Sequence, residues 1–211
     1  MMAHRIRAAL LIVLSATSCA HRIVQPGEPG TLSRTITPNE AVDLSKVHFT
    51  AGDVKFMQDM IHHHAQALDM TALIASRTDL EKMKLLGQRI EISQSDEIKM
   101  MQRWLEVRGQ QSPGIHDHHM AGATLMPGML TPEEMDRLAS AKGAEFDRLW
   151  LQGMIKHHDG ALLMVDQLFS TAGAGQESEV FAFASDVIAD QKAEIDRMAA
   201  MLEELQNEIR R

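Results

Sequence analysis

The chain has 211 residues, a formal net charge of −8 and one cysteine. That length suits a single domain with a sizeable core. The acidic balance removes nucleic acid from the plausible partners, and a lone cysteine excludes an internal disulfide. Methionine stands at 16 residues against six Phe, two Trp and no Tyr. Thioethers therefore fill much of any core, and they are also soft ligands suited to Cu(I).

At the N-terminus Arg5 and Arg7 precede an apolar run over residues 8–14 and the small residues Ser15, Ala16, Thr17 and Ser18. This is the three-part layout of a secretory signal, expected over residues 1–18. The run is too short to span a bilayer as a helix. Cys19 follows at once, and Ala16-Thr17-Ser18-Cys19 resembles a bacterial lipobox, with alanine where leucine is usual. The expectation is an exported lipoprotein of the periplasm or outer envelope, held to the membrane through lipid on Cys19. The alternative is ordinary cleavage near Ser18 with an incidental thiol. Residues 19–48 carry Pro26, Gly27, Pro29, Gly30 and Pro38 with little periodicity, and read as a tether.

The domain proper is expected over residues 49–211. A first helix runs from about residue 50 to 76, with an apolar stripe of Val54, Met57, Ile61, Leu68 and Ala72 beside Met60 and Ala67. Thr78 and Glu81 read as a capping box opening a second helix, which carries Leu85, Ile92, Ile98, Met101 and Leu105 and ends near residue 109. Residues 109–131 form a loop rich in Gly, Pro, His and Met. Thr131-Pro132-Glu133-Glu134 then restarts helix, with Thr131 as N-cap, Pro132 at the first helical position and Glu134 completing a box. Gly143 separates this short helix from a long one over about residues 144–169. After a Gly/Ser/Ala turn at 170–177, a fourth long helix covers about 178–210. No segment alternates like a strand.

The chain repeats itself. Residues 53–70 read DVKFMQDMIHHHAQALDM and residues 147–164 read DRLWLQGMIKHHDGALLM. Asp53 matches Asp147, Phe56 matches Trp150, Met60 matches Met154, His63-His64 matches His157-His158, and Met70 matches Met164. The second helices correspond too: Gln94, Glu97, Ile98 and Met101 against Gln191, Glu194, Ile195 and Met198. Two hairpins that each expose one apolar stripe bury both by packing together. The predicted fold is therefore all-α, a four-helix bundle made of two repeated hairpins.

The repeated F-x-x-x-M-I-x-HH-x-x-A-x-x-M element, the Q-x-x-EI-x-x-M element and the MPGM-x-T-x-x-E-M linker resemble the domain of unknown function 305 (DUF305) family over about residues 47–207. The resemblance implies a ferritin-like helical bundle. Through the family's CopM-type members it also implies an exported copper-binding protein linked to copper resistance. The first repeat departs slightly, with three histidines at 62–64 where the pattern needs two.

Neighbours on a helix point about 100° apart, so one histidine of each pair can face the core and the other a groove. Met60 lies one turn before His63 and His64, and Met154 one turn before His157 and His158, which puts thioether and imidazole on one face. On the partner helices Glu97 and Met101 are four apart, as are Glu194 and Met198. The carboxylates can orient the rings or bind a harder metal themselves. The alternative is a satisfied polar network that fixes helix register. The loop offers a second donor set: His116, His118, His119, Met120, Met126 and Met129. Copper fits imidazole plus thioether best, and zinc remains open through His and carboxylate. The loop's alternative is a solvated segment, with Met126 and Met129 pinning it to the bundle.

Enzyme chemistry lacks its residues. The sequence contains neither a Cys-x-x-Cys-His nor a His-Glu-x-x-His motif, against c-type haem and zincin chemistry. A di-iron carboxylate bundle needs Glu-x-x-His, but Met100 and Arg197 follow Glu97 and Glu194 at that spacing. The expected function is a non-enzymatic metal-binding protein that sequesters or passes on copper in the envelope. The competing expectations are a helical envelope scaffold whose His/Glu/Met pattern is purely structural and, third, a weak metallo-oxidase.

Overall fold

The computed structural model describes residues 23–25, 32–42, 48–114 and 125–209. They fall into two units, residues 1–43 and 44–211. The first holds two short antiparallel strands, β1 (Ile23–Gln25) and β2 (Arg34–Ile36), and a five-residue helix, α1 (Pro38–Val42). These two strands lie in the stretch read as a tether, where no strand was expected. Ile23 pairs with Ile36 and Val24 with Thr35. β-branched residues suit a pleated surface, but three-residue strands are too short for alternation to register.

The second unit is the helical domain: α2 (Ala51–Ala72), α3 (Ile74–Arg77), α4 (Glu81–Val107), α5 (Pro132–Ser140), α6 (Gly143–Ser170) and α7 (Ser178–Ile209). α2 packs on α4, α6 packs on α7, and α2 crosses α6. The two hairpins thus meet through their first long helices, the arrangement the repeat predicts. α2 opens on a capping box, in which Thr50 accepts from the Asp53 N–H and Asp53 accepts from the Thr50 N–H. α5 opens on the expected Thr131/Glu134 box with Pro132 at its start. α2 ends four residues early, where the Leu73 N–H turns back to the Met70 carbonyl.

The Thr78/Glu81 box does not form: α4 is capped by Leu80, without a side-chain bond. The Thr78 hydroxyl instead accepts from the Leu80 N–H and favours the charge of the Asp147 carboxylate. Asp53, the repeat counterpart of Asp147, accepts from the Gly175 N–H at 2.6 Å. Each repeat's opening aspartate therefore faces the turn of the other hairpin, a correspondence that reflects the internal pseudo-symmetry.

α4 also corrects the predicted stripe. Leu85 and Ile92 are exposed, while Met83, Leu86, Ile90, Gln94, Ile98, Met101 and Leu105 face inward. The inner face runs through a polar residue, Gln94, which an apolar pattern search steps around.

Two apolar clusters make up the core. One contains Phe56, Met57, Met60 and Ile61 of α2, Ile98 and Met101 of α4, Ala161 and Met164 of α6, and Val187 of α7. The other contains Ala67 and Met70 of α2, Ile90 of α4, Trp150 and Met154 of α6, and Met198 of α7. α2 and α6 run antiparallel, since the Trp150 indole N–H reaches the Met70 carbonyl at 3.1 Å while Phe56 and Met164 meet at the far end. All four long helices change from one cluster to the other across the same short stretch, and the buried histidines, Gln94, Gln191 and Glu194 are found there.

Candidate metal centre

His63, His64, His157 and His158 are all completely buried, so neither pair divides between core and groove as expected. Gln94, Gln191 and Glu194 are buried with them, and Glu97 is partly exposed. Together they form a polar layer between the two apolar clusters. The His63 and His157 rings stack, with centroids 3.8 Å apart and planes inclined by 33°.

Every Nε2 in the layer has an oxygen partner. His64 meets Glu97 at 2.5 Å and His158 meets Glu194 at 2.7 Å. His157 meets the His63 carbonyl at 2.9 Å, and His63 meets the Pro127 carbonyl at 3.0 Å. A carbonyl or carboxylate oxygen can only accept, so each ring must carry its proton on Nε2. In the neutral ring this leaves Nδ1 as a bare lone pair. All four Nδ1 atoms are buried and have no hydrogen-bond partner, nor do both amide atoms of Gln94 and Oε1 of Gln191. Buried polar atoms normally find partners, and this layer concentrates several that have none.

Burial holds His63 neutral, with its pKa lowered to about 3, and the neighbouring His64 adds to the effect. Burial likewise lowers His157 well below the ordinary histidine value, with His63 and His158 reinforcing it. Both rings are therefore uncharged bases at neutral pH, the form that binds metal. For Glu97, burial works against the charge, but the hydrogen bonds from His64 and Ser93 outweigh it and hold its pKa down. Asp190 is pushed up by burial and by the charges of Glu97 and Glu194. A groove of about 480 Å³ between α4 and α7, lined by Asp96, Glu97, Met100, Trp104, Phe183 and Asp186, brings solvent to Glu97 rather than to an imidazole.

Met60, Met101, Met154 and Met198 are fully buried. Met60 and Met101 lie in the first apolar cluster and Met154 and Met198 in the second, so two thioethers sit on each side of the layer. Among the described residues no three His, Cys, Asp or Glu side chains converge on one point. The donors the layer offers are therefore separate imidazole nitrogens with thioethers nearby in the chain. Of the loop set, His116, His118, His119 and Met120 lie outside the described residues, as does Cys19. Met129 is buried and Met126 packs against the first cluster, which is where anchors of the linker would stand.

The linker carries residues that composition and spacing did not single out. Met126-Pro127-Gly128-Met129 is a β-turn closed by Met129 N–H to the Met126 carbonyl at 3.2 Å, with Gly128 at φ +77°. Proline second and a left-handed glycine third is the type II signature. The turn makes no use of the Pro127 carbonyl, which is therefore available to His63. Gln66 grips the next residues, donating to the Leu130 carbonyl at 2.9 Å and accepting from the Leu130 N–H at 2.7 Å. At Gly160 a Cβ would stand 2.0 Å from the Pro127 oxygen and 2.6 Å from the Gly128 Cα. Glycine in mid-helix costs roughly 0.5–1 kcal/mol relative to alanine, and close passage of the linker backbone is what requires it here. Positions 66 and 160 are repeat equivalents, and their mismatch was the available signal.

The DUF305 family model, a domain of unknown function, matches residues 53–202. The chain belongs to the DUF305 family. No curated protein matches its sequence. Among solved structures it is similar to a DUF305 protein from Streptomyces coelicolor, assigned there as secreted, with 28% identity and a TM-score of 0.62 over 74% of this chain and 94% of that one. A DUF305 fragment from Deinococcus radiodurans aligns with 27% identity and a TM-score of 0.63, over 74% of this chain and 98% of the fragment. CopM in its Cu(I)-bound form aligns with 28% identity and a TM-score of 0.57, over 74% of this chain and 98% of CopM. CopM structures with Cu(II) and with silver align comparably.

Proposed function

We propose that this DUF305 protein binds copper in the cell envelope, for sequestration or transfer rather than catalysis. The observation that carries the reading is the set of four buried Nδ1 lone pairs, each created by an Nε2–H already committed to an oxygen. Metal-binding histidines typically donate their other ring N–H to a carboxylate or backbone carbonyl, which fixes the tautomer and raises the basicity of the ligating nitrogen. On this reading Glu97 and Glu194 orient rings and do not themselves hold the ion. Imidazole with flanking thioether suits copper in both oxidation states. The copper- and silver-bound forms of CopM support the same class of ion.

The test is titration of the purified, metal-free chain with Cu(I), Cu(II) and Zn(II) against competing chelators. Copper is expected to be retained after desalting and zinc to be held more weakly. A chain that retains no copper leaves the layer as a register-fixing polar network, the scaffold reading.

We further propose export, with Cys19 as a lipid anchor, from the signal-like run and the cysteine that ends it. Wild-type protein is then expected in the membrane fraction and a Cys19→Ala variant in the soluble fraction. Soluble, unlipidated wild type overturns the anchor.

A further inference from the structure

We propose that the linker strap at residues 126–130 sets which nitrogen of His63 can bind a soft metal ion, and that Gln66 and Gly160 are the positioning residues that seat it. The inference rests on the metal-binding reading of the layer and concerns the control of one of its donors.

The argument starts from a break in the repeat. His157 donates to the His63 carbonyl across the α2–α6 crossing. Reciprocity would have His63 donate to His157, yet its Nε2 meets Pro127 of the linker instead. A single linker can cross the helix pair on one side only. It crosses where position 160 has no side chain and its repeat equivalent, position 66, carries an amide long enough to hold Leu130 by both backbone groups. The Pro127 carbonyl is thus fixed by contacts on two different helices.

The consequence is an inequality between the repeats. The Nε2–H of His157 is held by helix backbone, which stays in place while the bundle is folded. That of His63 is held by a strap outside every helix, between α4 and α5. With the strap displaced, the Nε2 of His63 loses its acceptor and the proton can pass to Nδ1, occupying the lone pair that binds metal. The donor of the first repeat is conditional on the strap, and that of the second is built in.

Long-range proton–nitrogen spectra of the full-length, ¹⁵N-labelled, metal-free chain report the tautomer of each imidazole. In the wild type, His63 and His157 should both carry the proton on Nε2. Gln66→Ala removes the grip, and Gly160→Ala drives a methyl into the Pro127 carbonyl while favouring helix. Both variants should bring a Nδ1–H population to His63 and leave His157 unchanged. Titration with silver nitrate should then show affinity at His63 lowered by roughly 10–100-fold, the usual effect of losing a ligand's outer partner, with no change at His157.

A wild-type His63 already protonated on Nδ1 overturns the proposal. So does a His63 that keeps its tautomer in both variants. The tautomers are read without metal, so a chain that shows them and takes no silver overturns the metal reading and leaves the strap's control of the ring standing.

Discussion

Replacing His63, His64, His157 and His158 by alanine should abolish the tighter class of copper binding, lowering affinity by more than about 100-fold. The scale follows from the partners: losing a residue that only orients a ligand typically costs 10–100-fold, and losing the ligand costs more. Glu97→Gln with Glu194→Gln should therefore fall inside that range, because these carboxylates accept from His64 and His158 without supplying a donor themselves. Alanines at His116, His118 and His119 should remove only a weaker class, since the helix imidazoles stand on rigid elements and are already held in place. The quadruple variant strands two carboxylates, at about 1–3 kcal/mol each when buried without partners. It should be compared with a version that also carries the two Glu→Gln changes, and circular dichroism must show retained helix in both. A helical variant that binds copper as tightly as wild type would assign the histidines to structure alone.

Acid should destabilise the metal-free bundle well above the pH at which carboxylates titrate. His63 and His157 are bases whose pKa values folding lowers, through burial first and neighbouring imidazoles second. Such groups bind fewer protons folded than unfolded. Their contribution is fully present above the unfolded value of about 6.5 and is lost as pH falls towards the folded value, about 3 for His63. His63 costs about 1.4 kcal/mol per pH unit in that window, and His157 adds a loss in the same direction. Over the two units from pH 6.5 to 4.5 His63 alone costs roughly 2–3 kcal/mol, a large share of the whole stability of many domains. Glu97, with its lowered pKa, adds a loss in the same direction, but mostly below this window. Asp147 and Asp190, pushed up chiefly by burial, bind protons more readily when folded and oppose the trend. Urea unfolding across the window should show the steep loss. A His63→Gln, His157→Gln variant, whose amides can still donate to the two carbonyls, should flatten it. Wild-type stability that is level from pH 6.5 to 4.5 would mean these rings are not held neutral by burial.

Helix content, the two-hairpin architecture and the residues of the polar layer were legible in the sequence because each is a local or self-similar signal. Helix caps at Thr131 and Glu134 are written within four residues. The His-His, Gln-x-x-Glu and Met positions recur at a nearly constant offset, so the repeat alone brings them to corresponding places. Strands three residues long and an inward face that passes through Gln94 leave no such periodic trace. What each layer atom does was decided by tertiary structure. The sequence left Glu97 and Glu194 as either ligands or orienting groups. Only the packed helices put their oxygens on Nε2 and left Nδ1 bare. Thr78 reads as a helix cap until the packed chain makes Leu80 the cap and turns the Thr78 hydroxyl to the Leu80 N–H. Likewise Gln66 and Gly160 look like surface variation between two repeats until the linker runs over them. A hydrogen bond goes to whichever partner the fold brings within about 3 Å. For buried groups that partner lies far along the chain, 64 residues away for His63 and Pro127, where no local pattern can name it.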